Sequence, residues 1–473
     1  MIALTLQEIA DAVSGNLKLA AGYSATSIVS GDAKTDSREV KPGEIYFARR
    51  GQVTDGHRFI GNAVEAGAAL IIGEDPQDNL SVPQIIVDSA DTALGSLAKY
   101  VVTKAKREHG LKVVAITGSN GKTTTKNLLA KMLGRLGNTV ASEKSFNNEV
   151  GGPLTMLRVC QETEYLVVEM GASARGEIAL LTSMAQPDYG VVLMVGKAHA
   201  GGFGGIQTTA ATKGEMVEAL TAEGVAVLNA NDPLVAAMQQ QARGRVRWFD
   251  ATGTVSAAEV SAAEITVSAA GTSFILTVDG VSKPVNFPVL GEHHVANALA
   301  AAAVASDLGL DLQNIVEVLE ATVRPAKWRM EVSQLPNEVT LINDAYNASP
   351  ESMAAALKTL TQIADPAGRS IAVLGAMSEL GDESGPEHDR IGLLAVRLRI
   401  GQVVVVGENN RRMYISAINE GAWSESEAKY FPSSAEALTY LRDEIKPHDT
   451  VLIKSSNAAG LRFLGDDLKE ALS

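Results

Sequence analysis

The segment Lys112-Val-Val-Ala-Ile-Thr-Gly-Ser-Asn-Gly-Lys-Thr-Thr-Thr125 limits the fold more than any other part of the chain. Its apolar run, Val113–Ile116, has no polar alternation, so both faces of the strand must be covered. Two glycines follow, and a helical pattern over 123–136 follows them. A strand that turns through glycines into a helix is the unit of a parallel sheet with helices on both faces. The chemistry of the turn is equally restrictive. Gly118 and Gly121 let the backbone wrap an anion, whose oxygens meet N–H groups and the helix N-terminus. Lys122 would reach the β- and γ-phosphates of a nucleotide, and Thr123 would offer its hydroxyl to Mg²⁺. The general phosphate-loop pattern has glycine where this chain has Ile116, so the generic motif is only partly met. A glycine-rich turn that binds nothing is the plainer alternative.

Further apolar strands are expected at 165–169, 189–195 and 225–229, which extends the doubly wound α/β reading. At 473 residues the chain is long enough for three domains. Before the loop, strands at 45–49, 69–72 and 84–87 suggest a small α/β unit, with a helical connector at 92–108. Residues 246–289 alternate and are rich in Thr, Val and Gly, so they read as a β-rich insertion. An Ala-rich helix at 295–308 and a boundary at Arg324–Pro325 follow. A third, Rossmann-like α/β unit has strands expected at 339–343, 370–374, 402–406 and 450–453. The domains are drawn as 1–105, 106–324 and 325–473.

Lys and Arg total 41 against 55 Asp and Glu, a net charge of −14. Such a chain is not expected to bind a nucleic-acid backbone non-specifically, since that needs a basic face, although a few amides and one lysine suffice for a small phosphorylated ligand. The single cysteine, Cys160, cannot form an internal disulfide. The first residues lack the basic and apolar regions of a secretion signal, and no apolar run is long enough to span a membrane. A cytoplasmic protein is expected, acting as a monomer on small molecules, with no nucleic acid and no membrane span.

Three more residues stand out. Glu169 ends the strand at 165–169, where ligands bind in α/β sheets, and is a Mg²⁺-ligand candidate. His199 lies in the glycine-rich stretch Gly196–Gly205. Lys213 begins a helical pattern. Read singly, each has a bland account: a capping carboxylate, a structural histidine, a solvated lysine.

Taken together, these residues resemble the Mur ligase family, the ATP-dependent amide ligases that build the peptidoglycan stem peptide. The resemblance covers essentially the whole chain. It implies nucleotide contacts from Gly118, Ser119, Asn120, Gly121, Lys122, Thr123 and Thr124. It implies metal ligation by Thr123, Glu169, His199 and Lys213, the lysine carrying a CO₂-derived carbamate, with ATP and two Mg²⁺ as cofactors. Lys122, Glu169, His199 and Lys213 would be the catalytic set. Asn297, Arg329, Asp344, Tyr346 and Asn347 would complete the nucleotide site. Four stretches favour the member that adds D-alanyl-D-alanine to the UDP-N-acetylmuramoyl-tripeptide: Asn147–Thr155, Glu169–Ser173 with Gly176-Glu177, Asp344–Pro350, and Leu374–Gly381 with Ser384 and His388. Substrate contacts would then come from Asn147, Asn148, Glu149 and Ser173, and from Ser37 and Arg38 in a UDP-binding first domain.

The chain departs from the family at three places. His294 stands where an asparagine is usual. Trp328 stands where a glycine is usual, which questions the backbone beside Arg329. Ser455 and Asn457 break a Lys-Gly-Ser-Arg segment and remove an arginine. The reaction implied is phosphorylation of a carboxylate by ATP, then attack of an amine on the acyl phosphate. Another amide ligase of the superfamily, or a nucleotide-driven switch without ligase activity, are the alternatives.

Overall fold

The computed structural model describes residues 1–51, 54–143, 145–196, 205–255, 257–322, 327–421 and 426–472. Three sheets, each with helices packed on it, run in series, and a two-stranded ribbon (Leu4–Thr5 with Ile28–Val29) accompanies the first. The first sheet has five strands in the order Asn16–Lys18, Gln84–Ile86, Leu70–Gly73, Ile45–Ala48, Ala33–Lys34; only the first pair is antiparallel. The long helix Ala90–His109 leads from it and buries Leu94, Leu97, Val101 and Val102 in a core shared with the central sheet.

The central sheet has nine strands. Lys112–Thr117 lies in its middle, between Tyr165–Glu169 on one side and Tyr189–Val192 on the other, all parallel. The chain therefore winds outward in both directions from the strand that carries the glycine turn. The crevice at that strand's C-terminal end is where α/β sheets bind ligands. Thr139–Ala141 forms one edge.

On the other side, Val225–Asn229 and Arg245–Asp250 continue the parallel pairing, and Val260–Ser268, Gly271–Val278 and Val281–Phe287 end the sheet. The last two pairings are antiparallel. The stretch expected as a β-rich insertion is therefore a continuation of the same sheet. Its alternation explains this: Phe249, Ala262, Phe274, Leu276, Val285 and Phe287 point into one core with the helix Glu292–Asp307. Alanines at 298 and 300–303 in that helix are fully buried and let it lie close against both the sheet and helix Lys122–Leu133.

The third sheet has six strands in the order Glu331–Gln334, Thr340–Asn343, Thr450–Lys454, Ser370–Leu374, Gln402–Val406, Ala428–Phe431; only the first pair is antiparallel. Both outer strands escaped the sequence reading, as did Thr139–Ala141. All three are short edges with half-buried patterns. The expected boundary at Arg324–Pro325 lies outside the described residues.

Candidate active site

The glycine turn closes as its sequence requires. Gly121 has φ +88°, and a Cβ there would stand 2.1 Å from Asn297 Oδ1. Only glycine meets both conditions. Helix Lys122–Leu133 begins at the next residue, so its free N–H groups face the turn. Lys122 Nζ donates to the Gly118 carbonyl, 2.7 Å away, folding the ammonium over the loop. Asn120 Nδ2 donates to Ser349 Oγ at 2.9 Å, tying the loop to the third unit.

A cavity of about 250 Å³ opens over this loop. Of the residues expected at the nucleotide, Ser119, Asn120, Gly121, Lys122, Thr123 and Thr124 line it from the loop, and Asn297 from the Ala-rich helix. Arg329, Asp344, Tyr346 and Asn347 line it from the third unit. Gly118 shapes the turn from outside the lining, at φ +153°.

Glu169 and Asn147 also face this cavity. Glu169 is 2% exposed. Thr123 Oγ1 donates to one of its oxygens at 3.0 Å, and Asn147 Nδ2 to the other at 2.9 Å. A buried carboxylate held by neutral donors at the mouth of a phosphate loop is a donor set suited to a hard divalent cation. Lys122 titrates lower than usual because it is buried, and Glu169 opposes that shift.

Lys213, on helix Ile206–Glu218, is 3% exposed and does not line the cavity. Burial, and then the nearby charge of Lys122, push its amine down to about 7. It is thus the opposite of a solvated lysine. His199 lies outside the described residues. Among the described residues, then, Thr123 and Glu169 meet directly, and Lys213 enters through its coupling to Lys122.

Several lining residues were missed as site residues. The rings of His293 and His294 meet at a tilt of 41° with centroids 4.1 Å apart, and Asn297 Nδ2 donates to His294 Nδ1 at 3.3 Å. Burial pushes His293 down to about 4 and His294 well below its usual range, so both are neutral at pH 7. The departure at His294 thus places a neutral acceptor beside Asn297. Lys454 is 2% exposed and pairs with Asp344 at 2.6 Å. Its signal in the sequence was a lysine ending an apolar strand, TVLIK. Ser145 and Ser352 gave no signal.

Trp328 answers the question about its backbone. It adopts φ +64°, where a glycine would be unstrained. Its indole Nε1 donates to Asp466 at 3.1 Å, and its ring meets Phe463 edge-on at 5.8 Å. The Tyr346 N–H donates to the Trp328 carbonyl at 3.0 Å, and Arg329 stacks on the Tyr346 ring at 4.0 Å.

A second cavity, about 760 Å³, lies between the first unit and the central sheet. Asn147, Asn148 and Glu149 line it, opposite Asp32–Thr35, Glu39 and Arg49. Asn147 and Ser145 line both this cavity and the smaller one. Ser37 and Arg38 do not line it; Arg38 is largely exposed and pairs with Asp36 at 2.6 Å. Ser173 is also outside both cavities, and its N–H donates to Glu177 at 2.7 Å.

Comparison with known proteins matches three family patterns in succession. "Mur ligase family, catalytic domain" covers residues 33–108, "Mur ligase middle domain" 116–305, and "Mur ligase, glutamate ligase domain" 328–457. A UDP-N-acetylmuramoyl-tripeptide–D-alanyl-D-alanine ligase of Mycobacterium tuberculosis is 40% identical over 99% of this chain and 98% of its own length. Among solved structures, MurF from Acinetobacter baumannii superposes with a TM-score of 0.87, 32% identity and 99% coverage of both chains. The MurF ligase of Thermotoga maritima in complex with ADP gives 0.80 at 26% identity, covering 94% of this chain and 98% of that one.

Proposed function

The chain belongs to the Mur ligase family, and from that premise we infer that it joins D-alanyl-D-alanine to a UDP-N-acetylmuramoyl-tripeptide at the expense of ATP. It is an ATP-dependent peptide-bond-forming ligase of peptidoglycan precursor synthesis. The observation that carries the mechanism is the shared wall of the two cavities. Asn147 and Ser145 face both, so a nucleotide over the glycine turn and a long acceptor in the larger cavity converge at Glu169.

A carboxylate is a poor electrophile at neutral pH, and two anions must be brought together to activate it. Preorganised positive charge therefore dominates. Lys122 and the loop amides bind the phosphates, and the start of helix Lys122–Leu133 adds its dipole. Arg329, stacked on Tyr346, adds a fixed guanidinium, and Asn297 and the neutral His294 offer uncharged partners to the nucleotide. Thr123 and Glu169, with His199 and a carbamate on Lys213, would hold Mg²⁺, which neutralises phosphate charge when bound.

The tripeptide carboxylate attacks the γ-phosphorus, ADP leaves, and the acyl phosphate forms. The dipeptide amine then attacks the acyl carbon, and phosphate departs as the amide forms. Asn147, Asn148 and Glu149 are assigned to the acceptor. Ser37, Arg38 and Ser173 stand outside both cavities and take part only if the units draw together. The domain limits 1–105, 106–324 and 325–473, a monomeric state and a cytoplasmic location complete the proposal. No described helix is long and apolar enough to cross a membrane.

The test is phosphate release from Mg²⁺-ATP with each substrate alone and with both. Release that needs both, with a product heavier by one dipeptide less water, is expected. Release indifferent to the peptides overturns the reading in favour of a nucleotide-driven switch.

A further inference from the structure

The third sheet has two ends, and the nucleotide cavity uses one of them. Strands Thr340–Asn343, Thr450–Lys454 and Ser370–Leu374 are neighbours and run parallel. Asp344 and Lys454, at the C-terminal ends, line the nucleotide cavity. The chain enters the same three strands at the opposite end, about 16 Å away for strands of this length. Glu338 lies just before the first strand, His448 just before the second and Asp365 before the third.

Their side chains converge. His448 Nδ1 stands 3.1 Å from Glu338 Oε2 and 3.1 Å from Asp365 Oδ2, and the three ligand atoms lie within 4.8 Å of one another. Among the described residues, no other three His, Cys, Asp or Glu side chains meet so closely. Tetrahedral zinc, with ligands at about 2.0–2.1 Å, sets its ligand atoms about 3.3 Å apart. One Nδ1–H cannot point at both carboxylates, whereas a cation between the three atoms satisfies all of them.

The histidine is held in place by its neighbours. Asp449, the next residue, is 1% exposed; it accepts the Arg369 N–H at 2.8 Å and the Arg369 guanidinium at 2.7 Å. Its carbonyl accepts from the Thr340 N–H at 3.0 Å. A Cβ on Gly368 would stand 2.1 Å from the His448 carbonyl, so that glycine lets the two loops close on each other. The Asp365 N–H donates to Thr450 Oγ1 at 3.3 Å. The Ala367 N–H donates to Asp365 Oδ1 at 2.8 Å, which leaves Oδ2 facing His448. Preorganised ligands of this kind, one imidazole and two carboxylates, suit a borderline cation such as Zn²⁺, while Mg²⁺ favours oxygen ligands and water.

We propose that Glu338, Asp365 and His448 form a zinc site, with water as the fourth ligand, that clips together the three segments entering the third sheet. The site stands apart from the catalytic Mg²⁺ and takes no part in the reaction. It stabilises the unit that presents Arg329, Asp344 and Lys454 to the nucleotide, because the folded chain gathers ligands that the unfolded chain scatters.

The experiment titrates Zn²⁺ by calorimetry into the full-length, metal-stripped protein in excess Mg²⁺, beside the His448→Ala and Glu338→Gln variants. Glu338 is 77% exposed, so its substitution tests the ion without disturbing a core. The unsubstituted protein should bind one Zn²⁺ that each variant binds at least about tenfold more weakly. Zinc at about 100 times its dissociation constant should raise the unfolding midpoint by about 5 °C, with at most about half that shift in the variants. Co²⁺ in its place should give the visible absorption of a tetrahedral site, lost in His448→Ala. Turnover with saturating Mg²⁺-ATP should stay within about twofold in both variants.

Zinc binding that neither substitution weakens puts the ion elsewhere and overturns the inference. So does an unsubstituted protein whose unfolding midpoint does not move with zinc, a result that needs no variant to fold. Loss of turnover beyond about twofold in Glu338→Gln refutes the separation from catalysis.

Discussion

Lys213 offers the sharpest test of the metal site. A carbamate forms only on a neutral amine, and an ordinary lysine is almost never neutral at pH 7. Burial, with the Lys122 charge nearby, lowers the Lys213 amine from 10.5 to about 7. At pH 7 about half of the amine is then neutral, against about 0.03% for an ordinary lysine, a gain on the order of a thousandfold in reactive form.

The sign with pH follows. At constant CO₂ pressure the neutral fraction rises from about a tenth at pH 6 to about nine-tenths at pH 8. Carbamate should increase over that interval. The unfolded chain binds the proton more strongly than the folded one between pH 7 and pH 10.5, so the Lys213 contribution to stability rises with pH across that window. The assay is a ¹³C spectrum after exposure to labelled bicarbonate, read with and without the Lys213→Ala substitution, beside ligase turnover in CO₂-depleted buffer. One carbamate resonance that vanishes in the variant, and turnover that falls on depletion and returns with bicarbonate, are expected. No resonance at pH 8 together with turnover indifferent to bicarbonate would refute the argument.

Gly121→Ala combines a left-handed backbone with a Cβ driven into Asn297, and should cost about 2–3 kcal/mol in urea denaturation while weakening ATP binding at least tenfold. Unchanged nucleotide affinity by calorimetry would count against the turn geometry. Asp344→Ala strands the buried Lys454 ammonium and should destabilise by about 3–5 kcal/mol. Adding Lys454→Met should recover much of that loss, and a double variant as unstable as the sum of the two singles would contradict a paired charge. Trp328→Gly relieves about 1 kcal/mol of backbone strain but removes the indole contacts to Asp466 and Phe463. A net loss of about 1–2 kcal/mol and a higher KM for ATP are expected, and a net gain in stability would show that the ring holds nothing.

The phosphate loop was legible because its chemistry is local. A buried strand, two glycines and a lysine lie within eleven residues, Ala115–Thr125, and each has one physical use. Glu169 was legible because a strand's C-terminal end faces the crevice. The strands of the parallel sheets were legible from their unbroken apolar runs.

Where meaning depends on distant residues, the sequence was silent or misleading. The alternation at 246–289 identified strands but not their partner; that they extend the central sheet depends on the helix Glu292–Asp307 offering them a shared core. Lys213 taken alone reads as a solvated lysine, and only the resemblance marks it as a metal ligand, because its burial is a property of the fold. Ser145 and Ser352 carry no pattern at all, and the neutrality of His293 and His294 is a property of the closed cavity. Ser37 and Arg38 lie in the same loop as Thr35 and Glu39 but do not line the larger cavity as those two do.

The contacts that span the molecule explain why one nucleotide site needs two units. The phosphate loop donates to Ser349 through Asn120, and Arg329, Asp344 and Tyr346 reach the same cavity from the third sheet. The loop alone offers a phosphate cradle, the arrangement of any nucleotide-driven switch. The third unit adds what a ligase requires. Arg329 brings a guanidinium to the cavity over the loop, and Asn347 lines both that cavity and another beside it. Ser349 is both the partner of Asn120 and the N-cap of helix Pro350–Ile363, where its hydroxyl accepts from the Ser352 N–H. Any motion of the third unit that breaks the Asn120–Ser349 bond therefore separates the phosphate loop from the start of that helix. The cavity that brings the loop together with Arg329, Asp344 and Tyr346 therefore exists only in the arrangement in which the two units touch.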